Sequence, residues 1–181
     1  MIEVIAEIAN AHQGNYKTAI KLAKQAFSSG ADAVKFQIYF ADELLVKSHA
    51  RYKHFLNQSF SLNQWKSIFL SQQNKKIYCD IFGIKALNLA IKYKVYGVKI
   101  HSSDLENLEL IKKIPKKMKV LLSCGGSNLF TISKAVKILN SNGIKPVLMH
   151  GFQAYPTNIQ DINFNRLKLL IDQFENQASL G

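Results

Sequence analysis

The sequence predicts an α/β fold of the (β/α)8 TIM-barrel type, incomplete, with about six β-then-α units. Short apolar runs of strand length alternate with segments whose apolar residues recur at the helical period, which favours a parallel sheet with right-handed crossovers. Two of the strand-like runs contain a lysine, Lys35 and Lys99. A lysine in a buried strand is costly unless it lines a site, as it can in a barrel.

Two versions of this fold class are compatible with the alternation of strands and helices, a barrel and an open sheet. A barrel of this kind usually needs about 250 residues, so the 181 residues supply roughly three quarters of one. An open doubly wound sheet would suit the length better, but no glycine-rich phosphate loop follows the first predicted strand. We therefore expect one partial barrel domain over residues 1–181.

The first half of the chain contains three predicted strands, at 2–8, 31–39 and 76–82. Helices are predicted between and after them because apolar residues recur on one face. They cover 15–29, with Ala19, Leu22, Ala23 and Ala26 inward; 61–74, with Leu62, Trp65 and Phe69 inward; and 84–93. Residues 40–59 are polar and basic and are predicted to be a loop.

The second half continues the alternation. Strands are predicted at 96–100, 117–123 and 145–150, and helices at 105–113, 128–142 and 161–176. Gly143 is a stop signal for the fifth helix, as Gly30 is for the first. The tail at 178–181 is compatible with the start of a seventh strand.

Composition excludes several classes of protein. An apolar fraction of 48% supports one sizeable core and excludes a disordered chain. Two cysteines, Cys79 and Cys124, exclude a disulfide scaffold. No apolar run reaches about eighteen residues, and no signal peptide is visible, so we expect a cytoplasmic protein without a membrane partner. The net charge of +12 comes from dispersed lysines, which makes nucleic-acid binding the least favoured function.

Polar residues lie at or near the end of every predicted strand, where α/β folds carry their sites. In chain order they are Glu7, Asn10 and His12; Lys35 and Gln37; Cys79 and Asp80; Lys99, His101, Ser102 and Asp104; Ser123 and Cys124; and His150, Gln153 and Tyr155. Lysines, serines and the Gly125-Gly126 turn suit a phosphate together with a carboxylate. Glu7 and Asp104 are acid/base or hydroxyl-binding candidates.

Each candidate also has a structural interpretation. A single glutamate in the first strand, such as Glu7, is more often an ion-pair partner, here of Lys35 or Lys99, than a functional group. The three histidines could ligate a metal, although separate histidines near strand ends are more often hydrogen-bonded partners. The two cysteines could form a redox pair, but buried packing is the commoner role. Ser123 suits a turn or helix cap, and 155–157 a simple turn.

Five motifs in order resemble the sialic acid (N-acetylneuraminate) synthase family. Residues 6–15, AEIANAHQGN, are similar to its opening AEIGxNHxG motif, and 30–37, GADAVKFQ, to its GADAVKFQ motif. Residues 98–104, VKIHSSD, resemble KIxSxD, and 121–126, LLSCGG, resemble LSTGM. Residues 148–157 resemble the LHC…YPTP segment, so the likeness extends over essentially the whole chain.

The resemblance implies a (β/α)8 barrel that condenses phosphoenolpyruvate with an N-acetylated hexosamine and releases phosphate. By that likeness phosphoenolpyruvate is held by Lys35, Lys99, Ser102, Ser123 and Gln153. Glu7, Gln37 and Tyr155 face the sugar, and Asp104 lies between the two substrates as an acid/base group. Glu7, Asp104 and Tyr155 are thus the implied catalytic residues.

The chain departs from the family pattern at several positions. Ala11 stands where the first motif has Asn, Asp80 where the family's STPF segment has Thr, Gln153 where it has Asn, and Gly126 where it has Met. An acid at position 80 would repel phosphate unless it is reoriented. The family's divalent metal (Mn²⁺ or Mg²⁺) is bound by histidines that the resemblance places beyond Gly181. A C-terminal domain that completes the sugar site in a homodimer is expected there too.

Three functions therefore remain. The first is the synthase, with the 181-residue chain alone expected to be inactive. The second is another phosphoenolpyruvate-dependent 3-deoxy-keto-acid synthase, whose phosphorylated acceptor would need a basic site such as Lys47, Arg51 and Lys53. The third is a non-catalytic barrel remnant that binds an anion or a partner chain.

Overall fold

The computed structural model describes residues 2–152, 154, 156–174 and the backbone of 178–180. It divides into two compact units, Met1–Val98 and Lys99–Gly181. Both alternate strands with helices, as an α/β protein does. In the described part of the chain, every helix is too short or too polar to cross a lipid bilayer. The predicted single domain over 1–181 stays a prediction.

The first unit contains three parallel strands, each paired with its neighbour in sequence. They are β1 (Ile5–Ala9), β2 (Ala33–Ile38) and β3 (Lys76–Ile81). Its helices are α1 (Tyr16–Ser28), α2 (Ala41–Leu44), α3 (Tyr52–Gln58), α4 (Leu62–Ser71) and α5 (Ile84–Lys92). The strand β4 (Gly97–Ile100) includes the boundary between the units.

The second unit repeats the pattern. Its strands β5 (Lys119–Ser123), β6 (Val147–His150) and β7 (Ala178–Leu180) pair in parallel, β5 with β6 and β6 with β7. Its helices are α6 (Leu108–Lys112), α7 (Leu129–Ser141) and α8 (Phe164–Gln173), with 3-10 turns at Ser102–Asp104 and Ile159–Asp161. The tail of the chain therefore forms a seventh strand, with which its sequence was compatible.

Two segments differ from the prediction. The supposed loop at 40–59 contains α2 and α3, which are too short for an apolar period and lack a side-chain N-cap. Contacts distant in sequence hold them: the Tyr52 hydroxyl donates to Asp42 at 2.6 Å, and the Tyr39 and Phe55 rings meet edge to face at 5.4 Å. The helix expected at 105–113 begins only at Leu108, after a 3-10 turn.

The longer helices begin and end where the sequence indicated. The Asn15 side chain accepts from two backbone N–H groups at the start of α1. Ser61 and Gln64 form a reciprocal capping box at the start of α4. Gly30 and Gly143 follow α1 and α7 with φ of +96° and +73°, the left-handed conformation in which glycine is the usual residue.

The strands of the first unit have one apolar and one polar face. On β2, Val34, Phe36 and Ile38 are completely buried, and the Phe36 ring meets Trp65 of α4 at 6.2 Å. Lys35 and Gln37 alternate with them on the other face. The register places Lys35 opposite Glu7 of β1 and Tyr78 of β3, and Gln37 opposite Asp80. Lys35 is therefore tolerated inside β2 because it lies on the polar face of the strand.

The turn that follows β1 depends on Gly14, and replacing it with alanine is expected to destabilise the chain. Gly14 has φ +78°, and a Cβ there would lie 2.5 Å from the Asn57 carbonyl oxygen. Gly30→Ala is the matched control, because Gly30 has φ +96° and no described neighbour within 4 Å of the added Cβ. We expect the loss of unfolding free energy in Gly14→Ala to exceed that in Gly30→Ala by about 1–3 kcal/mol. Urea denaturation measures both, and equal losses would contradict the expectation.

Candidate active site

The centre of the polar face is an ion cluster of Glu7, Lys35 and Asp80, named here the Lys35 cluster. The Lys35 ammonium donates to both carboxylate oxygens of Asp80, at 3.0 Å each, and forms a second ion pair with Glu7. The side chains of Lys35 and Asp80 are 11% and 3% exposed, whereas that of Glu7 is 42% exposed. Asp80 therefore holds the lysine from the protein side and Glu7 from the solvent side.

Strand geometry explains this contact. Lys35 lies opposite Tyr78 in the register, so Asp80 is its diagonal neighbour, two residues further along β3. A long side chain can reach across that diagonal. Burial is the largest influence on the pKa of Lys35 and lowers it, but the charges and hydrogen bonds of Asp80 and Glu7 outweigh it and raise the pKa above 10.5. The lysine is therefore cationic at neutral pH.

The end of β1 is shaped by a bulge. The register with β2 shifts between Glu7 and Ala9, Ala9 has φ +41°, and its N–H donates to Glu7 Oε1 at 3.0 Å. Bulges redirect side chains at strand ends. Here the bulge fixes the Glu7 carboxylate, which contacts Lys35 with its other oxygen.

The polar residues after β1 are held by neighbours. Asn10 accepts from the Tyr39 hydroxyl at 3.0 Å, and burial raises the pKa of Tyr39 to about 12. His12 is buried, its Nδ1 accepts from the Gly14 N–H at 3.0 Å, and its ring centroid is 4.3 Å from that of Phe60. Burial lowers its pKa, so His12 is a neutral hydrogen-bonded partner.

In the second unit, Lys99 is partly exposed on β4, and Ser102 and Asp104 form the 3-10 turn that follows it. His101 caps this turn, accepting from the Ser103 N–H at 3.4 Å. Asp104 is half-buried, and burial raises its pKa, although Asn107 and His101 oppose the shift. A carboxyl group with a raised pKa suits proton transfer near neutral pH.

Arg166 fixes the turn after β5, and the sequence prediction missed it. Its guanidinium Nη2 donates to the carbonyl oxygens of Cys124, at 3.4 Å, and Ser127. These carbonyls flank the Gly125-Gly126 turn, and buried Ser123 precedes it. Arg166 is one of only two arginines in the chain, and this rarity is the sequence signal that could have identified it as a candidate.

A cavity of about 870 Å³ adjoins this turn. It is lined by the loop after β5, the end of β6 and the start of α8, including Ser127, His150, Phe152, Asp161 and Arg166. His150 is buried, and its Nε2 lies 2.6 Å from the Ile162 carbonyl oxygen. Within the described part of the chain its buried Nδ1 has no hydrogen-bond partner. The cavity has the polar and aromatic lining and the size of a small-molecule site.

The other predicted residues are placed as follows. Gln37 is partly exposed on β2, next to the Lys35 cluster in the register. Gln153 and Tyr155 lie outside the described residues. Cys79 and Cys124 are buried free thiols, and burial raises the pKa of Cys124 to about 12, as expected of packed rather than reactive cysteines.

His12, His101 and His150 each form a hydrogen bond with a backbone group of their own unit. Among the residues that the structure describes, no three His, Cys, Asp or Glu side chains are grouped in a way that could hold a metal ion. The described residues therefore do not fit a resident divalent ion.

Arg166→Ala is expected to lower the free energy of unfolding by about 1–3 kcal/mol, because charged hydrogen bonds to two carbonyl oxygens are lost. Arg51→Ala is the matched control, since Arg51 is exposed and its guanidinium stacks over the Phe55 ring at 5.1 Å. Urea denaturation compares the two, with amide hydrogen exchange at residues 125–127 reporting on the turn. An Arg166→Ala variant as stable as Arg51→Ala, with unchanged exchange, would contradict the role.

Comparison with known families matches residues 22–181 to a model described as the NeuB family. Among curated proteins, the chain is 34% identical over 173 residues to the uncharacterized protein MJ1065 of Methanocaldococcus jannaschii, covering 92% of this chain and 51% of that protein. It is 30% identical over 192 residues to the N,N'-diacetyllegionaminic acid synthase of Campylobacter jejuni, covering 95% of this chain and 58% of the enzyme. The chain thus spans somewhat over half the length of these relatives.

Among solved structures, the chain is similar to the N-acetylneuraminic acid (sialic acid) synthetase of Leptospira borgpetersenii, solved in complex with citrate. The TM-score is 0.90 at 24% identity, covering 99% of this chain and 64% of that structure. At this identity the likeness concerns the fold alone. It confirms the predicted incomplete (β/α)8 barrel.

Proposed function

The chain belongs to the NeuB family, and we propose from this membership that it takes part in condensing phosphoenolpyruvate with an N-acetylated hexosamine. The sugar is of the N-acetylmannosamine type, the product is a nonulosonic acid, and phosphate is released. The observation that carries the proposal is the polar strand face of the first unit. There Glu7 and Lys35, from the first two family motifs, form a direct ion pair.

The side chains suit this chemistry. Lys35 and Lys99 offset the charges of phosphate and carboxylate, and Ser102, Ser123 and Gln153 supply directional donors. Glu7, Gln37 and Tyr155 orient the sugar, with Glu7 already fixed by the β1 bulge. Asp104 moves a proton during the addition, for which its raised pKa is favourable.

The remaining parts of the proposal concern the whole protein. We propose a single barrel domain that works as a cytoplasmic homodimer, with phosphoenolpyruvate and the amino sugar as its small-molecule partners. The Mn²⁺ or Mg²⁺ implied by the family resemblance would be held by residues outside the described set. We expect the 181-residue chain by itself to be inactive, as the family resemblance implies.

Release of phosphate from phosphoenolpyruvate tests the proposal. The assay contains Mn²⁺ and N-acetylmannosamine, and compares the 181-residue chain with the product of the complete reading frame. We expect release that depends on the sugar from the latter only. Release that requires a phosphorylated aldose instead would favour the related 3-deoxy-keto-acid synthases. No release from either protein with any of these acceptors would favour a non-catalytic remnant.

A further inference from the structure

A second cavity, of about 550 Å³, lies inside the first unit and is named here the α4–α5 cavity. Side chains of α4, α5 and the end of β2 line it. None of these side chains is among those proposed for the condensation. The lining has a cationic part and an apolar part, and each of them restricts the kind of ligand that fits.

The cationic part consists of three lysines. Lys85 and Lys92 are exposed, seven residues apart on one face of α5, which is about 10.5 Å along the helix axis. Lys66 lines the cavity from α4. Lys85 contacts the carboxylate of Glu43 at 3.6 Å, whereas Lys66 and Lys92 form no ion pair within the described part of the chain. The cavity therefore suits a ligand with at least two anionic groups.

The apolar part is open to solvent. The helical period predicts Leu62 on the inward face of α4, but Leu62 is 61% exposed and lines the cavity. Phe40 and Tyr93 line it as well, and the Tyr93 ring is held by stacking on Phe69 at a centroid distance of 5.1 Å. A flat apolar group of a ligand would remove this surface from water, which is favourable.

We propose that the α4–α5 cavity is a nucleotide-binding site, in which the lysines contact the phosphates and the apolar side chains cover the base. Asn63 and Asn88 are exposed in the lining, and each amide offers a donor and an acceptor to the base edge. The volume is that of a small-molecule site, whereas an acidic peptide binds along a longer groove or a sheet edge. The inference is independent of the proposed function.

ATP binding to the 181-residue chain tests the inference, measured by isothermal titration calorimetry at about 0.15 M salt, where dispersed surface charges are largely screened. Tripolyphosphate and adenosine are the comparison ligands, because each keeps one part of the nucleotide. We expect ATP to bind at least about tenfold more tightly than either of them, since only ATP contacts both parts of the lining.

Two variants separate the two parts. Lys85→Gln/Lys92→Gln should weaken the binding of both ATP and tripolyphosphate at least about tenfold, because charged hydrogen bonds to phosphate are lost. Leu62→Ala should weaken ATP binding at least about threefold, through lost apolar contact, and leave tripolyphosphate binding unchanged. All three side chains are exposed, so both variants are expected to fold.

Lys17→Gln/Lys24→Gln is the matched control. It removes two exposed lysines with the same seven-residue spacing, but from α1. We expect its affinity for ATP to match that of the unsubstituted chain.

Three results would overturn the inference. They are an affinity for ATP no greater than that for tripolyphosphate or adenosine, an unchanged affinity in Lys85→Gln/Lys92→Gln, and a loss of the same size in the α1 control. The last result would assign the binding to the net charge of the chain. Turnover is not measured, so failure of this inference leaves the synthase proposal standing.

Discussion

Lys35→Met is expected to lower the free energy of unfolding by about 3–5 kcal/mol, because a buried ion pair is broken by removing one of its partners. Asp80, 3% exposed, loses the ammonium that contacts both of its oxygens. Glu7, which is far more exposed, contributes less to the loss. Guanidinium or urea denaturation of the variant and the unsubstituted chain measures the difference.

Two variants make the measurement specific. Lys112→Met removes the exposed pair with Glu109 and should leave the free energy of unfolding nearly unchanged, because water screens a surface pair. Lys35→Met/Asp80→Asn removes the buried cation together with the buried anion, and should recover part of the stability. A Lys35→Met variant within about 1 kcal/mol of the unsubstituted chain would refute the buried pair.

The pH dependence has a definite sign. The pKa of Lys35 is raised above 10.5 in the folded chain. The stabilisation from the charged form is therefore fully present below pH 10.5 and is lost as the pH rises through the raised pKa. The stability difference between the unsubstituted chain and Lys35→Met should stay constant at neutral pH and shrink only in alkali.

The second large effect is expected on catalysis. Asp104→Asn in the product of the complete reading frame should reduce kcat/KM for the condensation by about 10²–10⁴-fold, the usual loss when a general acid or base is removed. The substitution is isosteric, so the 3-10 turn Ser102–Asp104 should be preserved. Asp172→Asn, on an exposed position of α8, is the control and should leave kcat/KM unchanged.

The pH–rate profile distinguishes the two roles that Asp104 can play. Burial raises the pKa of its carboxyl group above 3.8. If Asp104 acts as a base, kcat/KM falls as the pH drops through that raised pKa; if it acts as an acid, kcat/KM falls as the pH rises through it. The corresponding limb should vanish in Asp104→Asn, and a profile that keeps both limbs would remove Asp104 from the proton transfer.

The fold was predictable where a periodic pattern was long enough to see. The helices α1, α4 and α7 carry an apolar stripe and a clear cap or stop, and they lie within a few residues of their predicted bounds. The helices α2 and α3 have neither, and aromatic and hydrogen-bonded contacts such as those of Tyr39 and Tyr52 hold them instead. Local sequence does not contain that information.

The site was predictable in its residues but not in its pairings. A lysine inside an apolar run indicated a polar strand face, and Glu7 was expected as one of its partners. The contact of Lys35 with Asp80 depends on the register between β2 and β3, which sequence alone does not specify. The sequence nevertheless showed that Asp80 replaces a threonine of the family pattern, and Asp80 is the residue that contacts Lys35 with both carboxylate oxygens.

The two-faced strands of the first unit also affect how this unit responds to temperature. Apolar surface exposed on unfolding raises the heat capacity, whereas exposed polar surface lowers it. The face with Val34, Phe36 and Ile38 and the face with Glu7, Lys35 and Asp80 therefore contribute with opposite signs. A strand buried among apolar groups on both faces would add more to the heat-capacity change. The ion cluster thus flattens the stability curve of the first unit, so that its stability varies less steeply on either side of its maximum.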